Sequence, residues 1–420
     1  LFHFIGLILK IIKPVKREIM EAESGNRGPS VRSDCYVKIR SGTSGGIQIE
    51  LKSKTDKLFG RHVRELVSGM FAFFGVDHAE VFIEDSGALP YVIAARVEAA
   101  LSRLTTVPKP YLLKGEICSK SSTARDRTRR SRLYLPGDNP KLMINAGLYG
   151  ADGVILDLED SVAPSGKHDA RFLVRNALLY NDFNGAELMV RINQLPAGLD
   201  DLPYIIPGPL NMVLIPKCES ADEVRAVDER ISSLKVDPHR DIWLMPIIES
   251  ASGIIHTYEI AAASPNVAAL TIGLEDYTAD IGAERTTEGT ESFYARGAVV
   301  NAARAAGVQP IDSVFSGFDD PEMLRSVALR ARAMGFEGMG CIHPLQVPVV
   351  NESFNPKSGE IEKAKKIVVA FEEAEKSGVG VISIGSKMID APVVKRARRT
   401  IDLAVRHKLL DSDWREHYEG

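Results

Sequence analysis

The chain has 420 residues, 45% hydrophobic and 26% charged, and its 52 basic against 56 acidic residues leave a formal charge of −4. These values exclude a miniprotein, a disordered or collagen-like chain and a globally basic nucleic-acid binder. At roughly 150 residues per domain they fit two or three domains, or one large barrel with a smaller companion.

The first residues, Leu1 to Lys10, are apolar but too few to span a membrane, and the basic residues follow the apolar run instead of preceding it as in a signal peptide. Residues 1–19 therefore read as a translated leader or an artefact ahead of a start at Met20, with a membrane-touching helix as the lesser reading. The four cysteines, Cys35, Cys118, Cys218 and Cys341, are widely spaced and form no C-x-x-C pair. That fits neither a disulfide scaffold nor a zinc site and points to the cytoplasm.

Residues 20–110 read as a small α+β domain. Cys35, Val37 and Ile39 alternate with Tyr36, Lys38 and Arg40, and Ile47, Ile49 and Leu51 alternate with Gln48, Glu50 and Lys52, the period-two pattern of strands. The glycine-rich link Ser41 to Gly46 predicts a hairpin between them. Phe59, Val63, Leu66, Val67, Met70 and Phe74 then recur at helical spacing, Ala79–Ile83 reads as a strand and Ala94–Leu104 as a second helix. Over 111–130 the pattern dissolves into serines and the start of an arginine cluster, Arg125 to Arg132, the composition of a solvated basic linker.

Over 131–350, short apolar runs alternate with amphipathic helical stretches. The runs are Leu133–Leu135, Gly153–Leu158, Leu188–Ile192, Met212–Ile215, Ile242–Ile248, Leu270–Ile272, Asp312–Phe315 and Gly338–Ile342, which makes eight. Eight β/α repeats predict a parallel (β/α)8 TIM barrel, with a doubly wound open sheet as runner-up that lacks the G-x-G-x-x-G a dinucleotide site would need. Residues 351–420 read as a C-terminal helical extension.

In such a barrel, chemistry gathers where the strands end. Here Asp157, Glu159 and Asp160 close the second strand, Arg191 the third, Lys217 the fourth, Glu249 the fifth, Asp276 the sixth and His343 the eighth. Glu249 and Asp276 end neighbouring strands, where two carboxylates repel unless a cation lies between them, and two hard oxygen ligands with open positions suit Mg²⁺. Salt bridges to Arg191 and Lys217 are the competing use of these acids. Arg191 offers a planar fork for a carboxylate or enolate oxygen, or ordinary pairing with Asp157 or Glu159. Lys217 admits a Schiff-base aldolase as a rival mechanism, or serves as a charge partner. Cys218 and Cys341 read as core.

The blocks Arg130–Gly137, Gly153–Pro164 with Lys167, Val190–Asn193, Ile248–Gly253, Gly273–Asp276, Ile342–Pro344 and Lys387–Pro392 together resemble the citrate lyase β-subunit family. These magnesium-dependent HpcH/HpaI-type aldolases and lyases are similar to malyl-CoA and citramalyl-CoA lyases. The resemblance implies that Glu249 and Asp276 bind Mg²⁺ and that Arg191 holds the reacting carboxylate or enolate, and Glu159 is a further catalytic candidate. It further implies that Asp390 is an acid/base supplied to a neighbouring subunit of a homotrimer. Read without the family, Asp390 caps the helix that follows Pro392.

The N-terminal domain resembles the citrate lyase acyl carrier protein through Gly45–Lys54, Phe59-Gly60, Asp85–Leu89 and Ala94–Arg96. In that family a serine just before the first strand carries a phosphopantetheine-type (phosphoribosyl-dephospho-CoA) prosthetic group. The family's Ser-Ser-Asp stands here as Arg32-Ser33-Asp34, so the modified position falls on Arg32, with Ser33 the nearest hydroxyl and Ser30 the next.

Together these resemblances imply Mg²⁺-dependent retro-Claisen cleavage of a 3-hydroxy-3-carboxyacyl thioester on the chain's own carrier domain, giving a 2-oxo acid and an acetyl thioester. A stand-alone lyase of citramalyl-CoA, malyl-CoA or β-methylmalyl-CoA with a vestigial carrier, and a carrier or scaffold subunit, are the alternatives. The implied partners are an acyl-thioester substrate and an acyl-transferase α-subunit, with no nucleic acid and no membrane.

Overall fold

The computed structural model describes residues 20–107, 109–113, 122–376, 381–384 and 387–418. The leader expected at 1–19, Cys118 and much of the linker lie outside the described residues. No helix among the described residues is long and apolar enough to cross a membrane. The chain forms two compact units: Leu1–Ser119 with Pro136–Ile144 and Asp160–Asn181, and Lys120–Leu135 with Asn145–Glu159 and Asp182–Gly420.

The first unit is built on β1 (Glu21–Gly25), β2 (Cys35–Ser41), β3 (Ile47–Ser53) and β4 (Ala79–Asp85), in the order β1-β2-β4-β3. The expected hairpin between β2 and β3 is not formed. Instead β4 lies between them, antiparallel to β2 and parallel to β3. Val81 and Ile83 of β4 are fully buried, whereas every residue of β3 is at least partly accessible, so the more apolar strand takes the centre and β3 an edge. β1 gives no apolar run in the sequence, because its buried positions are only Ala22 and Ser24.

The helix Asp56–Phe74 presents Gly60, Val63, Val67, Met70 and Phe71 to this sheet and stops at Gly75, which adopts the left-handed conformation with φ 67°. The second helix starts earlier than expected, with Pro90 in its first turn, and runs to Ser102. It is buried from Tyr91 to Leu101, because the sheet covers one side and the helix Lys167–Tyr180 the other. Its charges are therefore paired: Arg96 makes two bonds to Asp34, and Glu98 accepts two from Arg175.

The second unit contains a parallel barrel of β5 (Ser131–Pro136), β6 (Gly153–Asp157), β7 (Glu187–Arg191), β8 (Met212–Ile215), β9 (Trp243–Ile248), β10 (Ala269–Ile272), β11 (Gln309–Ile311) and β12 (Met339–Cys341). Neighbours follow chain order and β12 returns to pair with β5. The ring closes between β11 and β12 through the single bridge Asp312↔Met339. Its interior is filled by Ile155, Met189, Met212, Leu214, Met245 and Ile311 among others.

The seventh strand forms at Gln309–Ile311, not Asp312–Phe315. Beyond Ile311 the carbonyls of Val314 and Phe315 accept from the side chains of Arg285 and Gln346 instead of a neighbouring strand. The described end of the linker is not a solvated chain either. Arg125 donates to Val267 O and Gly307 O, Arg127 to Gly185 O, and Arg129 is fully buried in a two-bond pair with Glu187. These arginines satisfy carbonyls at the strand entries that no ladder reaches.

The C-terminal segment has its own core. The helices Ser358–Lys376 and Ala391–Arg406 enclose Ile367, Val368, Phe371, Val394 and Ile401, together with Trp414. Between them β13 (Ile382–Ile384) and β14 (Lys387–Ile389) form an antiparallel pair that a purely helical extension does not include.

Candidate active site

The ladder places the mouth residues side by side. Asp157 and Arg191 are register partners at the ends of β6 and β7. Arg191 Nε lies 2.6 Å from Asp157 Oδ1 and Nη2 lies 2.7 Å from Oδ2, a fork-on-fork pair. Its Nη1 is 2.9 Å from Glu159 Oε2, and Lys217 Nζ is 2.6 Å from the other Glu159 oxygen. Glu159 is itself fixed by its backbone, which donates 2.9 Å to Asp157 Oδ1. Both ordinary pairings considered for Arg191 thus occur, and Lys217 stands as a charge partner.

Glu249 follows β9 and is 5% exposed. Its Oε1 accepts the backbone N–H of Lys217 at 2.6 Å, a contact made with Lys217 in the left-handed region at φ 48°. Its Oε2 faces Gly273, which follows β10, and a Cβ built on Gly273 would stand only 2.3 Å away. Burial pushes the Glu249 carboxyl up to about 8. The Lys217 N–H opposes that shift, and the charges of Asp276 and Glu159 add to it. Asp276 lies in the short helix Leu274–Asp280 that follows β10, near enough for its charge to act on Glu249, and no cluster of three or more metal-ligating side chains forms among the described residues. For Arg191, burial works against the charge, but Asp157 outweighs it and, with Tyr134 and Glu159, raises the pKa well above the ordinary value.

Tyr134 on β5, one residue within the block Arg130–Gly137, places its ring 5.5 Å beneath the Arg191 guanidinium, and burial raises its hydroxyl pKa. The period-two position of Tyr134 between Leu133 and Leu135 was the available signal. Gly273 was likewise visible only as the glycine opening Gly273-Leu-Glu-Asp276.

The other expected residues engage different partners. Asp160 belongs to the first unit and is exposed. His343 stacks on Phe318 at 5.1 Å, and its Nδ1 accepts from Leu345 N. Asp390 caps the last helix, accepting from Val393 N at 3.2 Å. Cys218 and Cys341 are buried, with thiols pushed up to about 12 by desolvation. In the first unit, Ser33 sits at φ 57° with its N–H on Ser86 O, next to the buried Asp34 that Arg96 and Asn26 clamp. Ser30 is exposed in a turn, and Arg32 folds back onto Pro29 O and Val31 O.

A parallel barrel whose C-terminal mouth sets an acid pair beside a clamped arginine is the architecture of a cation-assisted carbon–carbon lyase or aldolase. Residues 130–344 match the family model described as HpcH/HpaI aldolase/citrate lyase. The chain is 36% identical over 293 residues to citrate lyase subunit beta of Leuconostoc mesenteroides subsp. cremoris, covering 69% of this chain and 97% of the relative. It is 34% identical to the L-malyl-CoA/beta-methylmalyl-CoA lyase of Rhodobacter capsulatus, covering 64% of this chain and 93% of that enzyme. Among solved structures, CitE of Mycobacterium tuberculosis in complex with magnesium, acetoacetate and coenzyme A superposes with a TM-score of 0.56 at 30% identity, covering 67% of this chain and 99% of that one. The chain therefore belongs to the HpcH/HpaI aldolase/citrate lyase family, as a citrate lyase β-like lyase. Residues 27–104 match the model of the malonate decarboxylase delta subunit, so a carrier-protein-like domain precedes the lyase barrel.

Proposed function

We propose that the chain cleaves a 3-hydroxy-3-carboxyacyl thioester of citryl or citramalyl type, carried on its own N-terminal domain, into a 2-oxo acid and an acetyl thioester. The observation that carries this reading is the mouth itself: Glu249 and Asp276 beside an Arg191 whose fork is pinned by Asp157 and Glu159. Glu249 and Asp276 are the residues that would hold Mg²⁺, and their two carboxylates leave coordination positions for water and substrate. When bound, the ion supplies Lewis-acid stabilisation to the oxygen that becomes the carbonyl of the oxo acid.

Arg191 binds the substrate carboxylate, and its ion pairs fix it before the substrate arrives, so little reorganisation is left for the reaction. Glu159 takes the proton of the substrate hydroxyl as the C–C bond breaks, and Asp390, reaching in from a neighbouring chain, returns a proton to the carbon of the acyl-thioester enolate. Lys217, engaged by Glu159, forms no Schiff base. The prosthetic group would be attached at Ser33.

The test is release of oxaloacetate or pyruvate from the corresponding thioesters by the full chain. Glu249→Gln and Asp276→Asn should abolish it with secondary structure unchanged, and chelation should do the same reversibly. Unchanged cleavage by either variant would refute the assignment. A second reading is supported by the Rhodobacter capsulatus relative and by Arg32 at the position of the carrier serine: a free-standing acyl-CoA lyase with a vestigial carrier. Turnover of malyl-CoA or citramalyl-CoA by protein whose intact mass shows no adduct on Ser33 would favour it.

A further inference from the structure

Within the second unit, a cavity of about 300 Å³ opens at the strand entries, the end of the barrel opposite the mouth, against the last helix, Ala391–Arg406. Arg129, Arg332, Arg396, Arg399 and Arg406 line it, and among the described residues its lining carboxylates are Asp126 and Glu337. The ion pairs do not balance. Arg129 is matched by Glu187, Arg332 by Glu360 and Arg406 by Asp126, while Arg304 and Arg399 share Glu337. Arg396 has no carboxylate partner among the described residues, so six guanidiniums meet four carboxylates and two positive charges stay unmatched.

His407 lines the same cavity, and both its ring nitrogens are buried with no hydrogen-bond partner among the described residues. Burial and the positive charges of Arg130, Arg406 and Arg332 push its pKa down to about 4, so the ring is neutral and can donate one N–H and accept one. A buried imidazole with nothing to bond is costly unless a ligand or water completes it.

We propose that this cavity binds the phosphoryl group of a small phosphorylated molecule, with Arg396 and Arg399 gripping its oxygens and His407 donating the remaining hydrogen bond. A phosphate monoester carries about −1.5 to −2 charge at neutral pH, which the two unmatched cations neutralise, and its acceptor oxygens match the guanidinium fork. Because Arg396, Arg399 and His407 belong to the last helix and its C-terminal cap while Arg129 and Glu337 precede β5 and β12, an occupant would also tie that helix to the barrel.

The test is calorimetric titration of the full chain at physiological salt with three probes: inorganic phosphate, pyrophosphate and ADP, with sulfate as the control. At least one phosphoryl probe should bind with submillimolar affinity, and binding of ADP but not of phosphate would assign the site to a phosphate ester rather than the free ion. Arg396 is exposed and has no carboxylate partner among the described residues, so Arg396→Ala should fold normally and weaken binding at least tenfold. Arg398→Ala, on the same helix but paired with Glu372 outside the cavity, should bind as the parent does. Bound probe should slow amide exchange over 396–407. Heat from none of the probes, affinity unchanged in Arg396→Ala, or sulfate bound as tightly as phosphate would each overturn the proposal.

Discussion

At Gly273 even a methyl group would collide with the Glu249 carboxylate, and that carboxylate cannot swing aside without losing the Lys217 N–H at 2.6 Å. Gly273→Ala is therefore expected to leave the barrel folded but to displace Glu249, lowering Mg²⁺ affinity and reducing cleavage by on the order of 100-fold. Magnesium titration followed by activity checks it. The same carboxyl gives a pH signature. Its pKa rises from an ordinary value of 4.5 to about 8 on folding, so between those values the folded chain binds the proton the unfolded chain has released. Without metal, stability should fall as pH rises through that window. Melting curves of chelated protein should show that slope, Glu249→Gln should flatten it, and Mg²⁺ should stabilise most at its alkaline end.

Among the elements, β7 carries a paired charge at each end: Glu187, fully buried against Arg129, and Arg191, clamped by Asp157. Removing one partner of a dry pair strands the other, which costs about 3–5 kcal/mol. Arg129→Met should lower the melting temperature far more than Arg129→Met combined with Glu187→Leu, because the double change removes both charges. The chain's periodicity made most strands legible, because buried parallel strands read as uninterrupted apolar runs. What it could not convey is which edge a strand pairs with, so the position of β4 between β2 and β3 was invisible. Nor did it show that arginines around residue 129, which look solvated in sequence, serve carbonyls at the strand entries. The positions of Arg191 and Glu249 were legible for the same reason as the barrel, since they end or follow apolar runs, whereas Asp276, expected at the end of a strand, lies within the helix Leu274–Asp280 beyond β10. Tyr134 and Gly273 were not legible, because a ring beneath a guanidinium and a missing methyl are properties of packing.

For the molecule as a whole, the placement of Asp390 bears on whether one chain completes a site. Within the chain, Asp390 caps its own helix, and the far end of that helix is bonded through Arg406 to Asp126 at the strand entries. If Asp390 serves a neighbour, Glu249→Gln and Asp390→Asn variants, each inactive alone, should regain activity when dissociated and reassembled together. No recovery would place Asp390 outside the reaction or within its own chain's site.

The return of β12 to β5 also sets a timetable for synthesis. Every other strand of the ring meets a partner next to it in sequence, but Cys341 follows Ser131 by 210 positions, so at about 5–20 residues per second the free edge of β5 waits roughly 10–40 s on the ribosome. A naked strand edge invites pairing with another nascent chain, and an inward-facing charge is a known deterrent. Arg132 is such a charge: it sits on β5, is 1% exposed, and among the described residues its Nη atoms bond to Met245 Sδ, Thr271 Oγ1 and Asp312 O with no carboxylate in an ion pair with it. Two of those partners lie on β9 and β10 and the third just past β11, so the guanidinium must remain hydrated until the last third of the barrel has emerged.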